Sequence, residues 1–256
     1  GKDVLALLPT GGGKSICFQV PALMREGLCI VVSPLIALMK DQVDQLKRQG
    51  IPAVALHAGM RHQAIDLLLD NCIYGAIKFL YVSPERLQTN LLQERIKKMP
   101  ISLLAIDEAH CVSQWGYDFR PAYLQIATFR SLLPAVNTIA LTATATPTVQ
   151  QDIQEKLSLQ TPSLFQQSFA RDNLAHVVRK TEDKDSQLLK VLRNVPGAAI
   201  IYVNTRQKTQ KVAYMLAQEK ISASFYHAGL TTQEREVRQE DWLQGQTRVM
   251  VATNAF

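Results

Sequence analysis

Short apolar runs alternate along the chain with longer segments of helical periodicity. Residues 4–8 and 101–107 are almost continuously apolar, as expected for strands buried on both faces. From Ile36 onwards, apolar residues recur at spacings of three and four, which predicts a helix that stops at Gly50. The other strands predicted in the first half are 28–33, 53–57, 77–83 and 138–142, and the other helices are 14–26, 61–73, 85–98, 121–133 and 148–159.

This alternation predicts an α/β fold in which a parallel sheet is covered by helices on both faces. Ligands of such sheets bind at the carboxyl ends of the strands. Each group of residues with catalytic or binding chemistry described below follows the end of a predicted strand. We therefore expect these groups to share one site.

The pattern lapses around residues 160–185 and restarts afterwards. We place a domain boundary near residues 163–168, with a first lobe at residues 1–165 and a second at 166–256. The second lobe is shorter, and its sheet is expected to be incomplete. Its predicted strands are 198–203, 222–226 and 248–252, and its predicted helices are 209–218 and 232–243.

The segment from Leu8 to Ser15 reads Leu-Pro-Thr-Gly-Gly-Gly-Lys-Ser and lies between a predicted strand and a predicted helix. Successive glycines permit positive φ and let backbone N–H groups surround an anion. Lys14 is expected to bind the β- and γ-phosphates of ATP and Ser15 to be a ligand of Mg²⁺. The strict phosphate-loop pattern fails at Leu8, so a glycine-rich turn before a helix remains the alternative. The expected phosphate contacts are Thr10, Gly11, Gly12, Gly13, Lys14 and Ser15.

The sequence Asp-Glu-Ala-His at residues 107–110 follows the predicted strand 101–107. Beside a phosphate loop, Asp107 is expected to hold Mg²⁺, and Glu108 to orient or deprotonate the attacking water. An isolated Asp-Glu pair is more often an exposed turn with a capping Asp. The phosphate loop makes the catalytic interpretation preferable.

Residues 113–121, Ser-Gln-Trp-Gly-Tyr-Asp-Phe-Arg-Pro, have no helical or strand period. Aromatic rings and a guanidinium around a glycine are typical of a loop that stacks on bases. A small hydrophobic core beneath the loop is the alternative. The residues expected to contact nucleic acid here are Trp115, Tyr117, Phe119 and Arg120.

Hydroxyl and amide side chains follow several other predicted strands. Ser33 and Ser83 each precede a proline, so both are candidates for simple helix N-caps. The alternative is that these strand ends bind phosphates of a nucleic acid. The threonine-rich segment at 141–146 also has a purely structural explanation as a strand edge. The further residues expected to bind DNA are Ser33, Pro34, Ser83, Asn204, Thr205, Arg206, Thr253 and Asn254.

Composition and charge restrict the partners, the location and the metal sites that we expect. The net charge of +6 favours a polyanionic partner, although the basic residues are dispersed. The sequence contains no apolar run long enough to span a membrane, and its first residues do not resemble a secretory signal. We therefore expect an intracellular protein without membrane association. The four cysteines form no C-x-x-C pair, which argues for buried thiols and against a zinc site within this chain.

Taken in order, these segments resemble the RecQ family of superfamily-two, DEAH-box DNA helicases. The loop at 113–121 is similar to the aromatic-rich loop that distinguishes this family. Seven segments of the chain resemble motifs of this family, in the same order. They are residues 8–15 (motif I), 31–42 (motif Ia), 81–87 (motif Ib), 107–110 (the DEAH box), 140–146 (motif III), 199–206 (motif IV) and 251–256 (the opening of motif V).

The resemblance implies two RecA-like lobes that form an ATP- and Mg²⁺-dependent motor. Such a motor moves 3′ to 5′ on single-stranded DNA and unwinds duplex DNA in repair and recombination, in the nucleoid of a bacterium or the nucleus of a eukaryote. The residues expected to couple hydrolysis to DNA binding are His110, Gln114, Thr142 and Thr144.

The family's adenine motif, motif VI with its arginine finger, and its zinc-binding and winged-helix regions have no counterpart in the sequence. We therefore expect a helicase-core fragment that hydrolyses ATP poorly by itself and does not unwind DNA. Two alternatives remain: an RNA helicase of the DEAD/DEAH group, and a nucleic-acid-binding module that has lost catalysis.

Overall fold

The computed structural model describes residues 2–116, 118–168 and 173–256, with the backbone alone at Thr232. The chain divides into two compact units, the first ending at Asn173 and the second beginning at Leu174. Each contains a parallel sheet flanked by helices, as the apolar pattern predicts. None of the helices in the described part of the chain is long and apolar enough to cross a membrane.

The first unit is built on a seven-stranded parallel sheet with the order β3-β4-β2-β5-β6-β1-β7. Every neighbouring pair in it is parallel, so all strands end at the same edge. Its strands are β1 (Val4–Leu7), β2 (Leu28–Val32), β3 (Ala53–Leu56), β4 (Phe79–Val82), β5 (Ile101–Ile106), β6 (Thr138–Thr142) and β7 (Ser163–Gln166).

Alternate residues of each central strand enter two different cores. On one face Ala105 and Tyr81 pack against Phe18 and Met39, which belong to α1 and α2. The other face packs against the remaining four helices. Burial on both faces explains why the central strands are apolar throughout. The helices are α1 (Lys14–Leu23), α2 (Ile36–Arg48), α3 (His62–Tyr74), α4 (Asn90–Ile96), α5 (Gln125–Ser131) and α6 (Pro147–Lys156).

Two predicted helices are divided in the structure. The segment predicted at 85–98 forms a 3₁₀ helix, Pro84–Gln88, and then α4. The segment predicted at 121–133 forms a 3₁₀ helix, Pro121–Leu124, and then α5. Each short helix has proline in its first turn, where the fixed φ and missing N–H favour an N-terminus.

Strand β7 was not predicted, because Ser163–Gln166 is a short edge strand exposed over most of its length. It pairs with β1 and therefore belongs to the first sheet. The expected lobe boundary at 165/166 falls inside this strand, whereas the compact units divide after Asn173.

The second unit contains a three-stranded parallel sheet with the order β8-β10-β9. Its core joins Val249 and Val251 of the central strand to Leu216 and Leu192 of the helices. The charged segment near residue 184 begins helix α7, which was not predicted; its apolar positions lie beside the core although most of its residues are exposed. The elements are α7 (Lys184–Asn194), β8 (Ala199–Tyr202), α8 (Arg206–Gln218), β9 (Ala223–Tyr226), α9 (Thr232–Leu243) and β10 (Val249–Ala252).

A buried carboxylate joins distant parts of the first unit at the edge where the strands begin. Asp3, 6% exposed, accepts hydrogen bonds from the backbone N–H groups of Thr138 at 2.8 Å and Gln160 at 3.0 Å. It also forms an ion pair with Arg130 at 2.7 Å. The start of β1 is thereby connected to β6, to α5 and to the segment after α6.

We expect Asp3→Ala to destabilise the first unit by about 3 kcal/mol, because the half-buried Arg130 guanidinium loses its ionised partner and two backbone N–H groups lose their acceptor. Hydrogen–deuterium exchange of peptides covering β1 and β6 measures the effect, which corresponds to roughly hundredfold less protection. Asp44→Ala, which removes an exposed carboxylate on α2, is the control. Equal protection of these peptides in the two variants would show that Asp3 does not stabilise the first unit.

Candidate functional site

The loop between β1 and α1 has a conformation that requires its glycines. Gly11 and Gly13 have φ values of +79° and +78°, which L side chains rarely adopt. A Cβ atom on Gly12 would lie 2.8 Å from the carbonyl oxygen of Pro9. The positive φ expected from the sequence is therefore present at two of the three positions, and the third needs glycine for space.

Helix α1 starts directly after this loop, with Gly13 at its N-cap. The first N–H groups of a helix have no partner within the helix and carry a partial positive charge. Lys14 and Ser15 lie in this first turn. The loop, the helix terminus and the ammonium group together provide the elements of a phosphate site.

Asp107 follows β5 at the same edge of the sheet. Its backbone N–H donates to the carbonyl of Val32 at 2.9 Å, and its own carbonyl accepts from the Tyr123 hydroxyl at 2.9 Å. Burial and the neighbouring charge of Glu108 raise the pKa of Asp107 to about 6. The backbone of this residue is therefore fixed, and its carboxylate lies where a cation would stabilise it.

Glu108 lies in the left-handed region, with φ 46° and ψ 47°. Such a conformation is uncommon for a non-glycine residue and is concentrated at functional sites. One carboxylate oxygen is 3.9 Å from Lys14 Nζ, and the other is 3.3 Å from His110 Nδ1. Burial would raise the pKa of Glu108, but the His110 hydrogen bond and the Lys14 charge outweigh it and lower that pKa.

His110 connects this carboxylate to the end of β6. Its Nδ1 atom lies 2.9 Å from Thr142 Oγ1, and the Thr142 hydroxyl oxygen accepts from Thr144 N–H at 3.2 Å. His110 and Thr142 are both buried. The structure therefore brings together three of the four residues expected to act in coupling, while Gln114 is exposed in the following loop.

The donor set at this edge fits Mg²⁺ bound together with a nucleotide. Ser15 and Asp107 supply oxygen atoms, which Mg²⁺ prefers, and phosphates and water usually complete its coordination. Within the described ranges, no group of three or more His, Cys, Asp and Glu side chains is placed to hold a metal ion by itself. Cys29, Cys72 and Cys111 are buried free thiols, and Cys17 is half-buried.

The loop after the 3₁₀ helix Ala109–Val112 is anchored by a buried residue and also carries an exposed aromatic ring. Ser113 is fully buried, donates to Asp152 at 2.6 Å and accepts from Trp115 N–H at 3.1 Å. The Trp115 side chain is 75% exposed, whereas Phe119 is half-buried. The small-core interpretation is therefore wrong for Trp115. Tyr117 lies outside the described residues.

Arg120 joins this loop to the segment after β2. Its guanidinium donates to the carbonyl oxygen of Pro34 at 2.8 Å and to the carboxylate of Asp118 at 2.9 and 3.0 Å. Two segments expected to contact nucleic acid are thus connected directly. Much of the donor capacity of Arg120 is already used within the protein.

The simple capping explanation for the two serines fails. Helix α2 has Leu35 at its N-cap, so Ser33 does not cap it. Ser83 is at the N-cap of the 3₁₀ helix Pro84–Gln88, but its hydroxyl makes no capping hydrogen bond. Both serines are buried, and within the described residues Ser83 Oγ has no hydrogen-bond partner.

In the second unit, the expected contact residues follow β8 and β10, which are neighbours in the sheet. Thr205 caps α8 through a hydrogen bond from Lys208 N–H at 3.2 Å, and Arg206 is the first residue of that helix. Asn204 and Asn254 are exposed, and Thr253 is half-buried. These five residues therefore lie at the carboxyl edge of the second sheet.

Asp152 and Gln42 are among the described residues that contact the site but were not predicted. Asp152 on α6 holds Ser113, and Gln42 on α2 contacts Ser15. Both are polar residues beside buried positions of amphipathic helices, a signal too common to identify them from sequence. Their partners lie 39 and 27 residues away in the chain.

Comparison with known proteins agrees with this geometry. The ATP-dependent DNA helicases RecQ of Pasteurella multocida and Bacillus subtilis are each 43% identical to the chain over 257 aligned residues. The alignments cover 100% of this chain but only 41% and 44% of those relatives, so the chain spans less than half of their length.

A solved structure of the DUF1998 helicase MrfA, bound to DNA and AMPPNP, has a similar fold. Its TM-score is 0.77 at 17% identity, and the match covers 100% of this chain and 40% of MrfA. The sequence family described as helicase conserved C-terminal domain matches residues 183–256. The family described as DEAD/DEAH box helicase matches residues 1–153, and the chain therefore belongs to the DEAD/DEAH box helicase family.

Proposed function

We propose that the chain is the motor region of a RecQ-type DNA helicase, which couples Mg²⁺-dependent ATP hydrolysis to 3′-to-5′ movement on single-stranded DNA. The observation that carries the proposal is the meeting of the phosphate loop, Asp107–Glu108 and Thr142 at the ends of three neighbouring strands. The exposed Trp115 loop begins beside them. The similarity to RecQ proteins favours DNA as the substrate.

In this proposal, Mg²⁺-bound ATP supplies the phosphoanhydride bond that is hydrolysed. The amides of residues 11–15 and the Lys14 ammonium group bind and neutralise the phosphates. Ser15 and Asp107 would hold Mg²⁺, which would neutralise charge on the phosphates. Glu108, kept ionised by Lys14 and His110, accepts a hydrogen bond from the attacking water and orients it.

The coupling path runs through His110. It contacts both Glu108 and Thr142, so displacement at the end of β6 changes the orientation of the carboxylate. The same short helix leads to Ser113 and Trp115. We propose that stacking of a base on Trp115 is transmitted through this helix to Glu108.

We also propose that each of the two units is a RecA-like lobe and that each contacts DNA. Asn204, Thr205, Arg206, Thr253 and Asn254 would contact its phosphates in the second unit. In the first unit, the exposed aromatic loop would make the stacking contacts. Ser33, Pro34 and Ser83 are still predicted to contact the phosphate backbone of the DNA. As a RecQ-type DNA helicase, the protein would act in DNA repair and recombination, in the nucleoid of a bacterium or the nucleus of a eukaryote.

Glu108→Gln is expected to preserve ATP binding and to reduce hydrolysis by about 10²- to 10⁴-fold, because an amide is a poor base for water. Binding is measured with a fluorescent ATP analogue, and hydrolysis by phosphate release in the full-length protein with DNA present. Glu85→Gln, at an exposed carboxylate in the 3₁₀ helix after β4, is the control. Unchanged turnover would refute the role of Glu108 and favour a module without catalysis.

Trp115→Ala is expected to lower DNA-stimulated ATPase activity by roughly tenfold and to spare basal activity, because a stacking contact contributes about 1–3 kcal/mol. Tyr74→Ala removes an equally exposed aromatic ring on α3, far along the chain from the loop, and serves as the control. Loss of folding in Trp115→Ala would show that the ring supports the structure instead.

The nucleic-acid type is tested by comparing single-stranded DNA and RNA of the same sequence as activators of the full-length ATPase. We expect DNA to stimulate turnover at least tenfold more than RNA. Equal or stronger stimulation by RNA would support the alternative of a DEAD/DEAH-type RNA helicase.

A further inference from the structure

A chain of two hydrogen bonds connects Ser15 to the interior of the first unit. Gln42 Nε2 donates to Ser15 Oγ at 2.9 Å, and the Tyr81 hydroxyl donates to Gln42 Oε1 at 2.8 Å. The three residues come from α1, α2 and β4. The chain thus joins a hydroxyl of the nucleotide site to a buried phenol outside it.

The far end of this hydrogen-bonded series is buried in the core. Tyr81 is 1% exposed, and its ring packs edge-on against Phe18, with ring centroids 6.5 Å apart. Met39 and Val43 of α2 are buried in the same core and fix the rotation of that helix. Gln42 lies between them in sequence and is half-buried. Its amide is therefore held between the phenol and Ser15.

We propose that Gln42 is a positioning residue that orients the Ser15 hydroxyl for metal binding. The inference rests on the proposed function. A serine oxygen can offer a lone pair to a cation only if its hydrogen points elsewhere. An acceptor at the position of the Gln42 amide directs that hydrogen away from the metal and leaves the lone pair free.

The Gln42 amide can serve both states of Ser15. With Nε2 towards Ser15, the serine accepts and the phenol donates, as in the structure. Rotating the amide by half a turn places Oε1 towards Ser15, which then donates to it, and Nε2 towards the phenol oxygen, which accepts. Hydroxyl groups both donate and accept, so each orientation keeps two hydrogen bonds. Gln42 can therefore reverse the direction of this hydrogen-bonded series while both of its amide atoms stay paired.

The test compares binding of a fluorescent ATP analogue to the full-length protein with Mg²⁺ and with EDTA. Gln42→Met keeps the side-chain length but removes both hydrogen bonds. We expect it to weaken binding in Mg²⁺ by about tenfold, as for other residues that support metal ligands, and to change binding in EDTA by less than about twofold. Thermal unfolding of each variant checks that the fold is retained.

Two further variants make the result specific. Gln45→Met makes the same change at an exposed position of α2 and is expected to bind like the unaltered chain. Gln42→Glu is expected to restore most of the Mg²⁺-dependent gain, because a carboxylate accepts from both hydroxyls.

An unchanged Mg²⁺-dependent gain in Gln42→Met would overturn the proposal. So would an equal loss with and without Mg²⁺, since that result indicates a packing role. If the unaltered full-length protein bound no nucleotide in either condition, the proposed function itself would fail, and this inference with it.

Discussion

Parallel pairing of β5, β6 and β1 is the constraint on which the site depends. The register pairs Leu7 with Thr142 and Ile106 with Ala140, so the three strands end close together at one edge. Their apolar residues are buried on both faces, and a shift by one residue would exchange the two cores. The same burial that stabilises the sheet therefore determines where Lys14 meets Glu108.

Neighbouring carboxylates at this edge are driven in opposite directions by their surroundings. Burial and a like charge raise the pKa of Asp107, whereas His110 and Lys14 lower that of Glu108. A cation is most favourable beside the first group, and an ionised base is available at the second. Adjacent residues of similar chemistry thereby become suited to different tasks.

The sequence predicts those parts of the site whose chemistry is local. The glycine loop and the Asp-Glu-Ala-His segment are contiguous and follow strongly apolar strands, so both their position and their character are predictable. Contacts such as Ser113 with Asp152, or Asp3 with Arg130, depend on how distant elements pack, and no local pattern indicates them. Strand β7 was missed for a related reason: it is an edge strand with Leu164 and Phe165 exposed, so burial leaves no regular pattern.

The Trp115 loop shows how packing can present an apolar side chain to solvent. Ser113 is buried and hydrogen-bonded on both sides, and a Cβ on Gly116 would come within 2.5 Å of the His110 carbonyl oxygen. The backbone on both sides of Trp115 is therefore tightly fixed, while its ring remains 75% exposed. Exposing a large ring forgoes burial energy on folding. A fixed backbone limits the conformational entropy lost when the ring stacks on a partner, so the exposed tryptophan is suited to binding rather than to stabilising the fold.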